Sequence, residues 1–204
     1  ATGGRDVGAA DAAGDVTATA GSDYTAVPTT QPQTPAGSLS TTVTVPILQD
    51  ALDEIDEVFR VDLSNAINAT IADGTANGTI TDDDDQPTLS IADTTVAEGA
   101  GTATFTVSLS AISGLDVSAD YATADLTATA GSDYTAVPTT QLQIPAGSLS
   151  TTVTVPILQD ALHEIDEVFR VDLPNAINAP LADAIGDPGR PTASRAQPVR
   201  RMPA

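Results

Sequence analysis

Apolar and polar residues alternate with a period of two along much of the chain. From Thr102 to Ser108 the polar positions Thr102, Thr104, Thr106 and Ser108 interleave with Ala103, Phe105, Val107 and Leu109. Such alternation predicts a half-buried strand. The same reading gives strand A over 88–96, strand B over 102–109 and strand C with Val117, Ala119 and Tyr121 on one face. A short strand D follows around Leu142 and Ile144. Strand E places Leu149, Thr151, Val153, Val155 and Ile157 inward, and strand F buries Phe169, Val171 and Leu173. Turns such as Glu98-Gly99-Ala100-Gly101 and Pro145-Ala146-Gly147 separate them. Helical periodicity is absent, and many short strands with turns between them indicate an antiparallel sandwich.

The pattern repeats. Residues 17–63 and 127–173 match at 44 of 47 positions, differing at Pro32/Leu142, Thr34/Ile144 and Asp53/His163. This identity points to duplication within an array. The expected division is a truncated repeat over 1–85 with strands C to G, a second repeat over 86–183 with strands A to F and strand G lost, and a tail over 184–204. In the first repeat, Asp11 replaces Tyr121 and weakens strand C, while Pro32 and Thr34 weaken strand D, because Pro removes a ladder donor. Its strand G runs through Gly78-Thr79-Ile80-Thr81 into Asp82-Asp83-Asp84-Asp85. The tail carries four Arg, one Asp and four Pro without alternation. Disorder is expected there, and the abrupt change in composition resembles a frameshift or fusion scar.

Composition narrows the chemistry. The formal net charge is −21, every basic residue is Arg, and aromatics make up 3% of 204 residues. That acidity argues against nucleic acid, which rewards basic patches, and against anionic membranes. No apolar run reaches the length of a membrane span. There is no Cys, so disulfides and thiolate metal sites are excluded. His163 is the sole histidine, and no Ser/His/Asp set is available. A glycosidase could use paired carboxylates, but its cleft would need more aromatic platforms than three Tyr and three Phe provide. A non-enzymatic protein is expected. The chain begins with Ala and is read as part of a longer polypeptide with further repeats.

Candidate chemistry concentrates between strands E and F, in Gln159-Asp160-Ala161-Leu162-His163-Glu164-Ile165-Asp166-Glu167 and its twin from Gln49 to Glu57. Crowded carboxylates repel unless a cation sits among them. A hard divalent cation takes six to eight oxygens from carboxylates and carbonyls. The alternative is a solvated acidic turn. If strands alternate in direction, the A–B, C–D and E–F connections and the end of strand G share one pole. Glu98, Asp125, Asp160, Glu164 and Glu167 then converge. The joining segment 82–87, about 20 Å at full extension, leaves from that pole and is too short for the second repeat's strands A and B to complete the first.

Tyr121-Ala122-Thr123-Ala124-Asp125, Ala130-Gly131-Ser132-Asp133-Tyr134, Pro145-Ala146-Gly147, Asp160 with Glu164, Asp166 and Glu167, and Thr79-Ile80-Thr81-Asp82-Asp83-Asp84 together resemble the Calx-β family. The resemblance covers nearly all of 11–183. It implies an all-β fold of immunoglobulin-like antiparallel sandwich repeats in tandem, the first and last units incomplete. It implies Ca²⁺ as the ion. In the second repeat the implied ligands are Glu98, Asp125, Asp160, the Leu162 carbonyl, Glu164 and Glu167. In the first they are Asp15, Asp50, the Leu52 carbonyl, Glu54, Glu57, Asp82, Asp83 and Asp84. Gln49 and Gln159 stand where the exchanger type has a further Asp, which costs each site a charge. The implied role is a calcium-stiffened structural repeat of a secreted or cell-surface protein, partnered by neighbouring repeats. A calcium sensor of a transporter is the other role the family offers.

Overall fold

The computed structural model describes residues 5–182 and the backbone of Ala193–Arg195. The first repeat supplies β1 (Val7–Asp15), β2 (Gln33–Thr34), β3 (Glu57–Ile67) and β4 (Thr75–Ile80). The second supplies β5 (Leu89–Ile91), β6 (Thr102–Leu109), β7 (Val117–Asp125), β8 (Thr140–Ile144), β9 (Ser150–Pro156) and β10 (Phe169–Asp172), with β11 at Ala193–Arg195. A single 3₁₀ turn, Glu98–Ala100, lies between β5 and β6, and the described residues contain no α-helix. The chain divides into two compact units: Ala1–Ala51 with Ile55–Asp83, and Leu52–Glu54 with Asp84–Ala204.

The second unit is an antiparallel sandwich of two sheets, β5-β6-β9 and β11-β10-β7-β8. The alternation of β6 is realised directly: Ala103, Phe105, Val107 and Leu109 are buried while Thr102, Thr104 and Thr106 are exposed. They pack with Val117, Ala119, Leu142, Ile144, Val153, Val155, Phe169, Val171 and Leu173. Three rings join the sheets. Phe169 stacks on Tyr134 with centroids 4.5 Å apart and meets the edge of Phe105 at 5.9 Å. On strand E, Val153, Val155 and Ile157 are buried as expected, but Leu149 at the strand's start is half exposed.

The first unit is one sheet, β2-β1-β3-β4. Its buried cluster is Ala18, Tyr24 and Phe59, packed against Ala13, Ala20, Val45, Val61 and Ile80. Phe59 lies across Gly78, where a Cβ would come within 2.3 Å of the ring, so only glycine fits beneath it. The described residues of this unit hold no counterpart of β5 and β6. The consequence falls on Ser40–Pro46, which has the same sequence as Ser150–Pro156. The latter forms β9, paired with β6 from Ser108↔Ser150 to Thr102↔Pro156. The former is not a strand. Val43 and Ile47 are 36% and 49% exposed, against 3% and 6% for Val153 and Ile157. Contacts local in sequence survive in both copies. Thr25 N–H donates to the Pro46 carbonyl at 2.8 Å, and Thr135 to Pro156 at 2.9 Å. Strand propensity is therefore satisfied only where a ladder partner exists, since what stabilises a strand is its cross-strand neighbours.

Three expectations are corrected. Strand C of the first repeat is not weakened by Asp11: β1 runs nine residues and pairs with β3 from Gly8 to Asp15. Asp11 is only 2% exposed, and its carboxylate accepts the Thr30 hydroxyl while the two backbones exchange N–H···O bonds of 3.0 and 3.1 Å. A buried polar group is tolerated when it is hydrogen-bonded. Strand A is shorter than 88–96, covering Leu89–Ile91. Strand G of the second repeat was expected to be lost, yet Ala193–Arg195 pairs antiparallel with β10 along the edge that β4 occupies on β3. An open edge beside β10 is a free template for such pairing. The rest of 184–204, where disorder was expected, lies outside the described residues. Strand D of the first repeat is reduced as expected, two residues against the five of β8. Pro174, where the first repeat has Ser64, ends β10 early, whereas β3 continues to Ile67.

Amide hydrogen exchange tests the contrast between the twin segments. Amides of 150–156 should be protected and those of 40–46 should exchange rapidly. Peptides that include Thr34 or Ile144 distinguish the two copies by mass. Equal protection would mean that the first copy has found a ladder partner.

Candidate metal centre

The site is assembled around a turn that the buried core holds in place. In the second unit, Tyr134 is buried against Phe169. Its hydroxyl donates to Asp125 Oδ1 at 2.6 Å, and the Ala130 amide donates to the same oxygen at 3.0 Å. Burial, followed by that bond, pushes the Tyr134 phenol up to about 12. Within the turn, Ser132 and Asp133 amides donate to the Thr129 carbonyl at 3.2 and 3.0 Å, and the Thr129 amide returns a bond to Asp133 Oδ2 at 2.6 Å. Gly131 closes the turn at φ 91°, a left-handed conformation suited to glycine.

The acidic loop is pinned to this turn at both ends. Leu158 donates to the Asp133 carbonyl at 2.9 Å. At the far end, Val168 donates to Thr127 Oγ1 at 2.7 Å, while Thr127 and Ala128 amides donate to the Val168 carbonyl. The A–B turn joins through Glu98, whose Oε1 accepts the Asp160 amide at 2.8 Å. Asp160 Oδ1 in turn accepts the Leu162 amide at 2.6 Å. These ties gather Glu98, Asp133, Glu164 and Glu167 around a pocket that Ile157, Leu158 and Ile165 also line.

Asp133, Glu164 and Glu167 each place a carboxylate oxygen within 4.8 Å of the others. Crowding and desolvation both disfavour the charged form of the two glutamates. Glu164 is raised above its ordinary value by desolvation, then by the charges of Asp160, Asp133 and Glu98. Glu167 is raised by desolvation, then by the charge of Asp133 and a hydrogen bond with it, then by Glu164. An all-oxygen, all-anionic donor set with neither His nor Cys suits a hard cation of the calcium type. Asp133, Glu164 and Glu167 would hold it, with Glu98 and Asp160 alongside.

Of the ligands implied from the sequence in this repeat, Glu98, Asp160, Glu164 and Glu167 are brought together. Asp125 braces the turn through Oδ1, and Leu162, whose carbonyl is the implied ligand, is 63% exposed and donates its amide to Asp160. Asp133 was missing from the set. Its signal was present in Ala130-Gly131-Ser132-Asp133-Tyr134, where an acid precedes an aromatic that fixes it in space.

In the first repeat, Asp15 Oδ1 accepts the Tyr24 hydroxyl and the Ala20 amide, as Asp125 does in the second. Those bonds hold the Asp15 carboxyl below its usual range, the Tyr24 bond being the larger cause. Asp83 accepts Gln49 Nε2 at 2.7 Å, and the Asp82 amide donates to Asp56 at 3.1 Å. Asp50, Leu52, Glu54 and Asp84 lie in the described loops, and Glu57 opens β3. Among the described residues, no three carboxylates of this repeat meet as Asp133, Glu164 and Glu167 do.

The Calx-beta domain family model matches residues 12–84 and again residues 82–196. The chain belongs to the Calx-beta family. Both Calx-beta matches span the turn-and-acidic-loop pairing just described, and the tandem all-β architecture agrees with two copies of that domain. The crystal structure of CBD12 from CALX1.2 is similar at 20% identity and TM-score 0.43, over 89% of this chain and 71% of that one. The apo-form Calx CBD1 domain is similar at 23% identity and TM-score 0.48, over 55% of this chain and 95% of that one. The calcium binding domain CBD12 of CALX1.1 gives 21% identity and TM-score 0.42, over 89% and 71%. No curated protein sequence matches the chain.

The raised carboxyls of this Calx-beta repeat set the sign of a pH dependence. A carboxyl raised above its ordinary 4.5 binds its proton more readily in the folded state. Its contribution therefore favours folding below the unfolded pKa and is lost as pH rises through the folded value. In metal-free buffer at pH 7, Glu164→Gln and Glu167→Gln should each raise the melting temperature. The gain should vanish below about pH 4.5, once both carboxyls are protonated. A gain that persists unchanged at low pH would locate its cause elsewhere.

Proposed function

We propose that this chain is a non-enzymatic, calcium-binding structural segment of a secreted or cell-surface protein, its Calx-beta repeats stiffened by the ion within a tandem array. The observation that carries the reading is the meeting of Asp133, Glu164 and Glu167 at one point of the second repeat, from two loops 31 residues apart in sequence. A divalent cation there offsets the desolvation and the neighbouring charges that raise Glu164 and Glu167. It also ties the C–D turn to the E–F loop, and so braces strands β7, β9 and β10 at one end. Near-identity of the two copies supports an architectural role, since a stalk is extended by copying one unit. Exposure of Glu164 and the charge lost at Gln159 support weak binding, on the order of the 10⁻⁴–10⁻³ M typical of extracellular modules.

Millimolar calcium should raise the melting temperature of the chain, because the ion binds the folded form. Sodium chloride of matched ionic strength should do less. Magnesium should also do less, since it dehydrates reluctantly and demands near-octahedral geometry. If calcium and sodium chloride act alike, the acidic loops are solvated turns.

A further inference from the structure

We propose that Asn77, on the outer strand β4 of the first repeat, is an acceptor for an N-linked oligosaccharide. The inference rests on the surface-protein reading for its setting, since this modification belongs to exported chains. Calcium plays no part in it.

The sequence holds two tripeptides of the acceptor form Asn-X-Ser/Thr, Asn68-Ala69-Thr70 and Asn77-Gly78-Thr79. The structure separates them. Asn68 turns the chain at φ 59°, and its Nδ2 donates to the Asp6 carbonyl at 2.8 Å. The second repeat makes the same tie: Asn178, at φ 61°, donates from Nδ2 to the Asp116 carbonyl at 2.9 Å. There Pro180 stands in place of Thr70, so the tie persists where the acceptor form is lost. Asn68 is a turn residue whose nitrogen is already engaged.

Asn77 carries neither constraint. It is exposed in the middle of β4, and among the described residues its side-chain amide has no hydrogen-bond partner. The core face of β4 at this point is Gly78, covered by Phe59. Successive side chains of a strand point to opposite faces. Asn77 and Thr79 therefore share the other face, both exposed, with Arg60 opposite Asn77. The amide that accepts the sugar and the hydroxyl that the motif requires stand side by side on open surface. Strand β4 is also the outermost of its sheet. That place does not come from absent strands, for in the second unit, which has β5 and β6, β11 lies equally outermost beside β10. A bulky, solvated group at Asn77 displaces no packed side chain.

The donor class is an oligosaccharide carried on a polyprenyl diphosphate. Transfer joins Asn77 Nδ2 to the anomeric carbon of the first sugar and breaks that carbon's bond to the diphosphate oxygen. Polyprenyl diphosphate leaves, and the displaced amide proton passes to a base of the transferase.

The test expresses the whole chain, behind a cleavable secretion signal, in animal cells that perform this transfer. Cleavage of the secreted protein before Asp62, Asp73 and Asp82 puts Asn68 and Asn77 on separate peptides for mass analysis. The mass of a glycan is expected on 73–81 and not on 62–72. Peptide N-glycosidase should release it and convert the carrier asparagine to aspartate. Asn77→Gln and Thr79→Ala should each abolish the modification, Thr79→Ser should retain it, and Asn68→Gln should leave it unchanged. An unmodified 73–81 peptide overturns the proposal, as does equal occupancy of 62–72 or a glycan that survives Asn77→Gln. Because export is supplied, an unmodified secreted chain counts against Asn77 alone, and the surface-protein reading keeps its own calcium test.

Discussion

Everything in the second repeat rests on the ladder between β6 and β9. Strand β9 has no independent claim to its conformation, for the same seven residues at Ser40–Pro46 are not a strand. Pairing with β6 turns Val153, Val155 and Ile157 inward and closes the sandwich over Phe105 and Phe169. Removal of side chains of this size from water supplies about 1.5–3 kcal/mol each, which no turn or surface ion pair matches. The surface pair Arg170–Asp172, at 3.1 Å and partly exposed, is of the kind worth about 0–1 kcal/mol.

The candidate metal centre depends on this core at one remove. Its carboxylates are exposed or half-exposed and repel each other, so they cannot gather themselves. They are gathered because Tyr134 is anchored on Phe169, and because Leu158 and Val168 tie both ends of the acidic loop to the C–D turn. The local half of this machinery is present in both repeats. Leu48 donates to the Asp23 carbonyl at 2.9 Å as Leu158 does to Asp133, and Asp15 receives Tyr24 as Asp125 receives Tyr134. What differs is the sheet from which the loop departs.

The period-two alternation made the strands of the second repeat readable, and the recurring motifs identified the family. Other features were beyond a reading along the chain. Two copies that differ in this stretch only at Asp53/His163, Pro32/Leu142 and Thr34/Ile144 cannot be told apart by propensity, yet their strand E segments differ because the ladder partner lies elsewhere in sequence. Asp11 read as a defect because its acceptor role depends on Thr30, 19 positions away. Asp133 sits in a motif that marks the turn, but only the fold shows that the turn sets it beside Glu164 and Glu167. The strand at Ala193–Arg195 lies in a stretch without alternation and is three residues long, below what periodicity can register.

The central claim is that a complete sandwich, not the acidic loop alone, makes a calcium site. Equilibrium calcium binding to two variants tests it most directly, one with Glu54→Gln and Glu57→Gln, the other with Glu164→Gln and Glu167→Gln. The two loops are identical apart from Asp53/His163. The first variant should bind calcium as the unaltered chain does, and the second should lose the binding. Equal losses in both, or a loss confined to the first, would contradict the account.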